Sequence, residues 1–354
     1  MKNLFRILLL SLAASSAMFV SCDESDHNVK ISTEQFPVGT VSWASDVTAE
    51  QKAVISELIN SLVCVEETEF YMGAQAKTYT RPNFHSAYSS KDTVWDSNIA
   101  VLEDTLSKKL GKFPYCLVYY NNGIPVGPVV KIKMPSYYIG KFEVTQGQWD
   151  AVMDRRPTGT YCKVEELDGS AAWYKETGLG DNVAAYNISY DDAVEFCETL
   201  SMKTGLNFRL PTEAEWECAA RGGKATRGYS YSGSDSYSEV AWNYYNACKG
   251  LGSENYGVHA GGELKPNELG IYDMSGNVSE WVANSYYWYD YHDDVNPKGK
   301  MGGDTLILRG GSWVQKKSNE FYPANRRKFI QSSYSDESFL DAIAYCGFRI
   351  VLSQ

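Results

Sequence analysis

Histidine is scarce in this chain, with four among 354 residues, at positions 27, 85, 259 and 292. No two are spaced as His-x-x-His or His-x-x-x-His, so no local pair offers the start of a zinc or iron site. The eight cysteines include no Cys-x-x-Cys, and none lies between Cys248 and Cys346. That argues against a zinc ribbon or a thioredoxin-type motif. Basic residues are outnumbered by acids, 33 to 44, for a net charge of −11. Such a balance repels phosphate backbones and anionic headgroups, so nucleic acid is not an expected partner. The longest apolar run, Ile7 to Val20, is interrupted by serines and too short for a comfortable transmembrane helix.

That run reads instead as an export signal over residues 1–22, with Lys2 and Arg6 as its basic start. Removing residues 1–21 takes away those two cations and no acid, so the remainder is two charges more negative. Phe19-Val20-Ser21-Cys22 resembles a loose bacterial lipobox, and Asp23-Glu24-Ser25-Asp26 follows at once. Cys22 is therefore the expected lipidation site. Acids next to it resemble the surface-export signal of Bacteroidetes lipoproteins. The expected location is the outer membrane, on its periplasmic or cell-surface face, held through two acyl chains. Seven cysteines remain, an odd number, so at least one thiol is unpaired. Cys197 and Cys218 fall at apolar helix positions and are expected to be buried free thiols.

Hydrophobic content of 44% suits a globular core, and 26 tyrosines suggest a loop-rich fold that fills space with rings. Residues 23–61 read as a polar tether followed by a short amphipathic helix from Ala49 to Leu62. The main domain is assigned to 62–354, with an insertion at about 74–128. The insertion holds a helix candidate, Ile99 to Leu110, and an aromatic strand candidate, Phe113 to Tyr120. Strands broken by Pro135-Ser136 are expected over Val129 to Val144. Thr145 caps a helix from Gln146 to Met153, and Ser189 caps another that Gly205 ends. Thr212 with Glu215 forms a capping box for a third, which stops at Gly222-Gly223. Strands at Thr305–Arg309 and Ala344–Val351 close the chain.

The densest stretch is Asn267-Glu-Leu-Gly-Ile-Tyr-Asp-Met-Ser-Gly-Asn-Val-Ser-Glu-Trp281. Gly276-Asn277 supplies a left-handed turn, with Asp273 and Glu280 on either side of it. This stretch closely resembles the signature of the sulfatase-modifying-factor family, whose founding member is the formylglycine-generating enzyme. Four more blocks resemble the family in the right order. They are Tyr137 to Gln146 together with Phe208 to Glu217 and Ala219 to Gly223, then Leu308-Arg-Gly-Gly-Ser-Trp313, and finally Gly347-Phe-Arg349. Val63 to Gly73 resembles its first strand pair. The resemblance covers roughly Leu62 to Leu352. It implies an α+β, loop-rich fold related to C-type lectin-like domains.

The resemblance also implies chemistry, and here this chain departs from it. Formylglycine-generating enzymes oxidise a sulfatase cysteine with Cu(I) held by two cysteines shortly after the Arg-Gly-Gly-Ser block. Those positions fall here on Gln315 and Glu320. An amide and a carboxylate are hard ligands, unsuited to Cu(I), so copper is not expected and no catalytic residue is assigned. A second branch uses iron with a histidine triad in an additional helical domain, which four scattered histidines do not provide. Calcium is the expected metal. By resemblance it uses the side chains of Asp273 and Glu280 with backbone carbonyls at Gly276 and Val278, in a structural role. A second family calcium site involves Asn243 and the region of Ser253 to Tyr256. Arg309, Arg326, Arg327 and Arg349 are expected to bridge loops structurally. Tyr286, Tyr287, Trp288 and Trp313 are candidates to line a groove for a peptide or a sugar.

The reading is an envelope lipoprotein whose domain binds or assembles rather than catalyses, as in the gliding-motility lipoproteins of Bacteroidetes that resemble it. Its partner would be a protein or glycan of the envelope. Two others stand beside it. One is a formylglycine-generating oxidase with relocated copper ligands, for instance Cys248 or Cys346. The other is a calcium-dependent glycan-binding protein.

Overall fold

A reciprocal hydrogen-bonded cap starts each of the four longer helices. Thr48, Thr145, Ser189 and Thr212 each accept from a backbone N–H three residues on, and the side chain at that third position returns the bond. These caps open α1 (Ala49–Asn60), α2 (Gln146–Met153), α3 (Tyr190–Thr204) and α4 (Glu213–Ala220). The box satisfies two of the amide donors that a helix start leaves over. Gly205 ends α3 in the left-handed conformation, at φ 70°. The computed structural model describes residues 32–73, 130–155, 178–247, 257–286, 302–333 and 343–352, with five short strands between 93 and 125.

Two four-stranded sheets carry the domain. The first orders β12 (Phe208–Arg209), β19 (Val351–Leu352), β11 (Tyr137–Ile139) and β3 (Val63–Val65). The second orders β17 (Arg327–Ile330), β16 (Thr305–Arg309), β15 (Ser279–Ser285) and β18 (Cys346–Gly347). The strand β10 (Val130–Met134) pairs antiparallel with β4 (Thr68–Met72). Helices α1 to α3 cover a core in which Trp149 stacks on Phe196 at 5.6 Å and meets Phe348 edge-on. A second core surrounds Trp216 of α4.

Every residue of α4 is buried, including three glutamates. Isolated carboxylates there would be prohibitively costly, and each has an arginine. Glu213 is gripped by Arg326 at 2.6 and 2.7 Å. Glu215 is held by Arg209 at 2.7 and 2.8 Å. Glu217 accepts from Arg221 at 2.8 Å and also from Arg309. Burial raises the Glu217 carboxyl, but Arg221 and Arg309 outweigh it and hold it below its ordinary range. Of the four arginines expected to bridge loops, Arg309, Arg326 and Arg349 do so and are buried and paired, whereas Arg327 is half-buried at the start of the strand Arg327–Ile330. Cys197 and Cys218 are buried free thiols, as expected.

Three expectations need correction. Residues 23–61 are not a tether throughout: β1 (Ser32–Phe36) and β2 (Gly39–Trp43) form a hairpin. Phe36, Val41 and Trp43 from it join the main core, because alternation turns them to one face. The Ile99–Leu110 helix candidate begins instead as a strand, Ile99–Leu102, paired with Thr93–Asp96. β-branched and apolar residues in that tetrad suit a pleated strand as well as a helix turn. The strands within Val63 to Gly73 exist but do not pair together, since β3 joins β11 and β4 joins β10. The export signal, Cys22 and most of the 74–128 insertion lie outside the described residues.

Replacing Glu213 with Ala strands Arg326 in the core. We expect a loss of about 3–5 kcal/mol in chemical denaturation. Lys224→Ala, which opens the exposed Lys224–Glu66 pair, should cost no more than about 0.5 kcal/mol.

Candidate functional site

The turn at Asp273 to Asn277 lies where the closing segments converge. Asp273, Gly276 and Asn277 all have positive φ, at 58°, 86° and 56°. Gly276 is required twice over, since a Cβ there would lie 2.3 Å from the Trp242 carbonyl oxygen. The turn leads into β15, and Glu280 points into a fully buried setting. Arg349 grips both Glu280 oxygens, Nε to Oε2 at 2.7 Å and Nη2 to Oε1 at 2.9 Å. Trp216 Nε1 donates to Oε2 at 2.9 Å. The same guanidinium donates to the carbonyls of Gly140 and Tyr272.

A third acid completes the cluster. Glu143, between Phe142 and Val144, is buried and accepts from Asn277 Nδ2 at 2.6 Å and from the Val278 amide at 3.1 Å. Burial, then the charges of Asp273 and Glu280, push its carboxyl well above the ordinary range. Asp273 Oδ2 accepts from the Gly262 amide, while its buried Oδ1 has no hydrogen-bond partner. Burial raises Asp273 to about 6. Three carboxylates face one arginine, so the cluster needs a proton or a cation to approach neutrality.

The carboxylates by themselves offer calcium few free oxygens. It takes six to eight oxygens, and Asp273 Oδ1 is the one oxygen of these three carboxylates without a partner. Glu280 has both oxygens engaged by Arg349. Among the described residues no group of three or more acidic, histidine or cysteine side chains is arranged to hold a metal. At the other family calcium position, Asn243 Oδ1 accepts from the Tyr245 amide within its own turn. Ser253 to Tyr256 lie outside the described residues. Proton uptake is the simpler way to balance the cluster.

Positions 315 and 320 cap local backbone. Gln315 Oε1 accepts from the Ser312 amide at 2.6 Å, and Glu320 Oε2 accepts from the Lys317 amide at 3.0 Å. Cys346 is buried in the main core with its thiol pushed up to about 12 by burial, and Cys218 likewise. Cys248 lies outside the described residues.

The two candidate groove residues that are described, Tyr286 and Trp313, do not stand on an open surface. Trp313 is buried against Tyr345. Tyr286 is half-buried with Lys328 and Arg326 over its ring, at 3.8 and 4.6 Å from the centroid. Tyr287 and Trp288 lie outside the described residues. Among the described residues the exposed aromatics are instead Tyr244 and Tyr245, which sequence reading missed. Two adjacent rings on a one-turn helix cannot both face a core, and that signal was available. Glu143 was missed too, since its neighbours in the chain do not mark it as a buried carboxylate.

Loop-rich α+β architecture, a left-handed acidic turn and a lattice of buried arginine–carboxylate pairs together define a domain of the formylglycine-generating-enzyme type. The chain belongs to the sulfatase-modifying factor enzyme 1-like domain family, whose model matches residues 56–354. It is 32% identical to the chaperone protein LppX of Paenibacillus barcinonensis over 52% of this chain and 71% of that one. It is 32% identical to the mouse formylglycine-generating enzyme over 39% of this chain and 37% of that one. It is 31% identical to the bovine inactive C-alpha-formylglycine-generating enzyme 2 over 41% of this chain and 45% of that one. The chain thus spans less than half the length of either of these two mammalian proteins. Among solved structures, PvdO from Pseudomonas aeruginosa matches at a TM-score of 0.50 and 21% identity, covering 83% of this chain and 94% of that one. Treponema denticola variable protein 1 matches at 0.50 and 23%, covering 69% and 97%. These two likenesses concern the fold.

A raised acid favours the fold while protonated. That contribution is complete below the ordinary carboxyl range and lost as pH rises through about 6. Relative to Asp273→Asn, the wild type should therefore lose about 1 kcal/mol between pH 5 and 7.5 in chelator. Denaturation at both pH values checks this. Adding millimolar calcium at pH 7.5 should leave the melting temperature within about 1 °C, whereas tight binding would raise it by several degrees.

Proposed function

We propose that this chain is a non-catalytic binding or assembly module, held at the outer membrane, on its periplasmic or cell-surface face, by lipid on Cys22. Its partner is a protein or glycan of the envelope. The observation that carries the reading is at positions 315 and 320. The residues there are not thiols, and both side chains serve as caps for neighbouring amides. Cu(I) chemistry needs thiolates. Cys346, suggested as a relocated ligand, is sealed in the core with a raised pKa. Relatives named as a chaperone and as an inactive enzyme support a binding role within this family.

The test of the non-oxidase reading is direct. The full chain, supplied with copper, O₂ and a Cys-x-Pro-x-Arg peptide, should leave the peptide mass unchanged while an active enzyme converts it. Cysteine-to-aldehyde conversion by this chain would overturn the proposal. Anchoring is tested separately: Cys22→Ala should move the protein from the membrane fraction to the soluble envelope fraction and abolish labelling by a palmitate analogue. A variant that stays membrane-bound and labelled would remove Cys22 from the account.

A further inference from the structure

Tyr244 and Tyr245 open a four-residue helix, Tyr244–Ala247, just after the buried Trp242. Successive helical side chains diverge by about 100°. With Ala247 turned to the core, the two rings face outward, 39% and 61% exposed. Of the five large hydrophobics exposed among the described residues, these two are adjacent. Their backbone is fixed on several sides. Asn243 accepts from the Tyr245 amide at 2.9 Å, Asn246 accepts from the Asn243 amide at 2.7 Å, and the Tyr244 amide donates to the Gln315 carbonyl at 3.0 Å. Little ordering is left for a ligand to impose on this segment.

The rings stand at 89° to each other with centroids 5.7 Å apart, so they form a corner rather than a flat patch. Lys316 Nζ sits 4.0 Å from the Tyr244 centroid, adding a positive charge to the corner. We propose that Tyr244, Tyr245 and Lys316 form a binding site for an acidic carbohydrate chain, bearing carboxylate or sulfate groups. This rests on the binding-module reading above and names its ligand. A pyranose has an apolar C–H face that lies flat on an electron-rich ring. Its hydroxyl rim can use the phenol groups, and its anionic substituent pairs with the Lys316 ammonium. A cation matters on a chain of net charge −11, which elsewhere repels such a polymer. The open cavity of about 900 Å³ between α1 and α2, by contrast, is walled by Glu50, Glu57, Asp150, Asp154 and Asp181 with no basic residue. A peptide anchor would call for a desolvated apolar pocket, whereas these two rings are 39% and 61% exposed.

The experiment measures retention of the full chain, in detergent, on immobilised polygalacturonate, sulfated dextran and neutral dextran. Retention is expected on at least one anionic polymer and not on the neutral one, and the two anionic arms separate carboxylate from sulfate recognition. Tyr245→Ala should weaken it about tenfold, Tyr245→Phe should largely preserve it, and Lys316→Gln should weaken it and reduce its salt dependence. Both positions are at the surface, so the melting temperatures of all three variants should match the wild type. Retention unaffected by Tyr245→Ala, or no retention on either anionic polymer, would overturn the assignment. Neither outcome touches the non-oxidase reading, which stands or falls on aldehyde formation.

Discussion

The structure depends on charge matching inside its core. Helix α4 is buried along its whole length, and its three glutamates are tied to arginines from β12, β16, the helix end and the segment before β17. Arg309 reaches two of them and also stands over the Trp216 ring at 5.1 Å. Glu280 and Arg349 repeat the pattern one strand away. Such pairs gain little net stability over apolar packing, because desolvation offsets attraction. Their consequence is geometric. A guanidinium bound in two places accepts one orientation of each loop, and many of the strands here have only two or three residues to hold a register by themselves.

Helix starts were legible in the sequence because capping is local. A Ser or Thr with its partner three residues on carries the whole signal, as at Thr145–Gln148, Ser189–Asp192 and Thr212–Glu215. The arginine roles were legible only through family resemblance, since nothing near Arg349 in the chain indicates Glu280, 69 residues away. The β1–β2 hairpin was missed because five-residue strands show too few apolar positions to reveal alternation. At the site, the left-handed turn at Gly276-Asn277 was correctly read from residue type. Glu143 was not, because its position beside Asn277 is set by tertiary packing across 134 residues.

The cluster around that turn shows how far its acids are already engaged by protein groups. Asp273 and Glu280 have the right chemistry and flank the right turn, yet Glu280 is committed to Arg349 and Trp216. A cation competing for it would have to displace a buried guanidinium that also satisfies two carbonyls. That leaves Asp273 with a single unshared oxygen and Glu143 with two amide donors. A proton neutralises such a group without assembling a coordination shell, which is the less demanding solution in a cluster already filled by hydrogen bonds.

The closing segment separates what holds the fold from what a family member does with it. Arg309, Arg326 and Trp313 anchor this segment in the core. Gln315 and Glu320, by contrast, bond only to neighbouring backbone through their side chains, three residues away in each case. Exchanging residues at these two positions changes the chemistry on offer while leaving the distant ion pairs intact. The Gln315 carbonyl also receives the Tyr244 amide. The segment that would carry copper ligands in an oxidase therefore helps, in this chain, to mount the exposed rings. A scaffold fixed from within by arginines can change the residues it displays at this place, and the fold has no reason to resist the exchange.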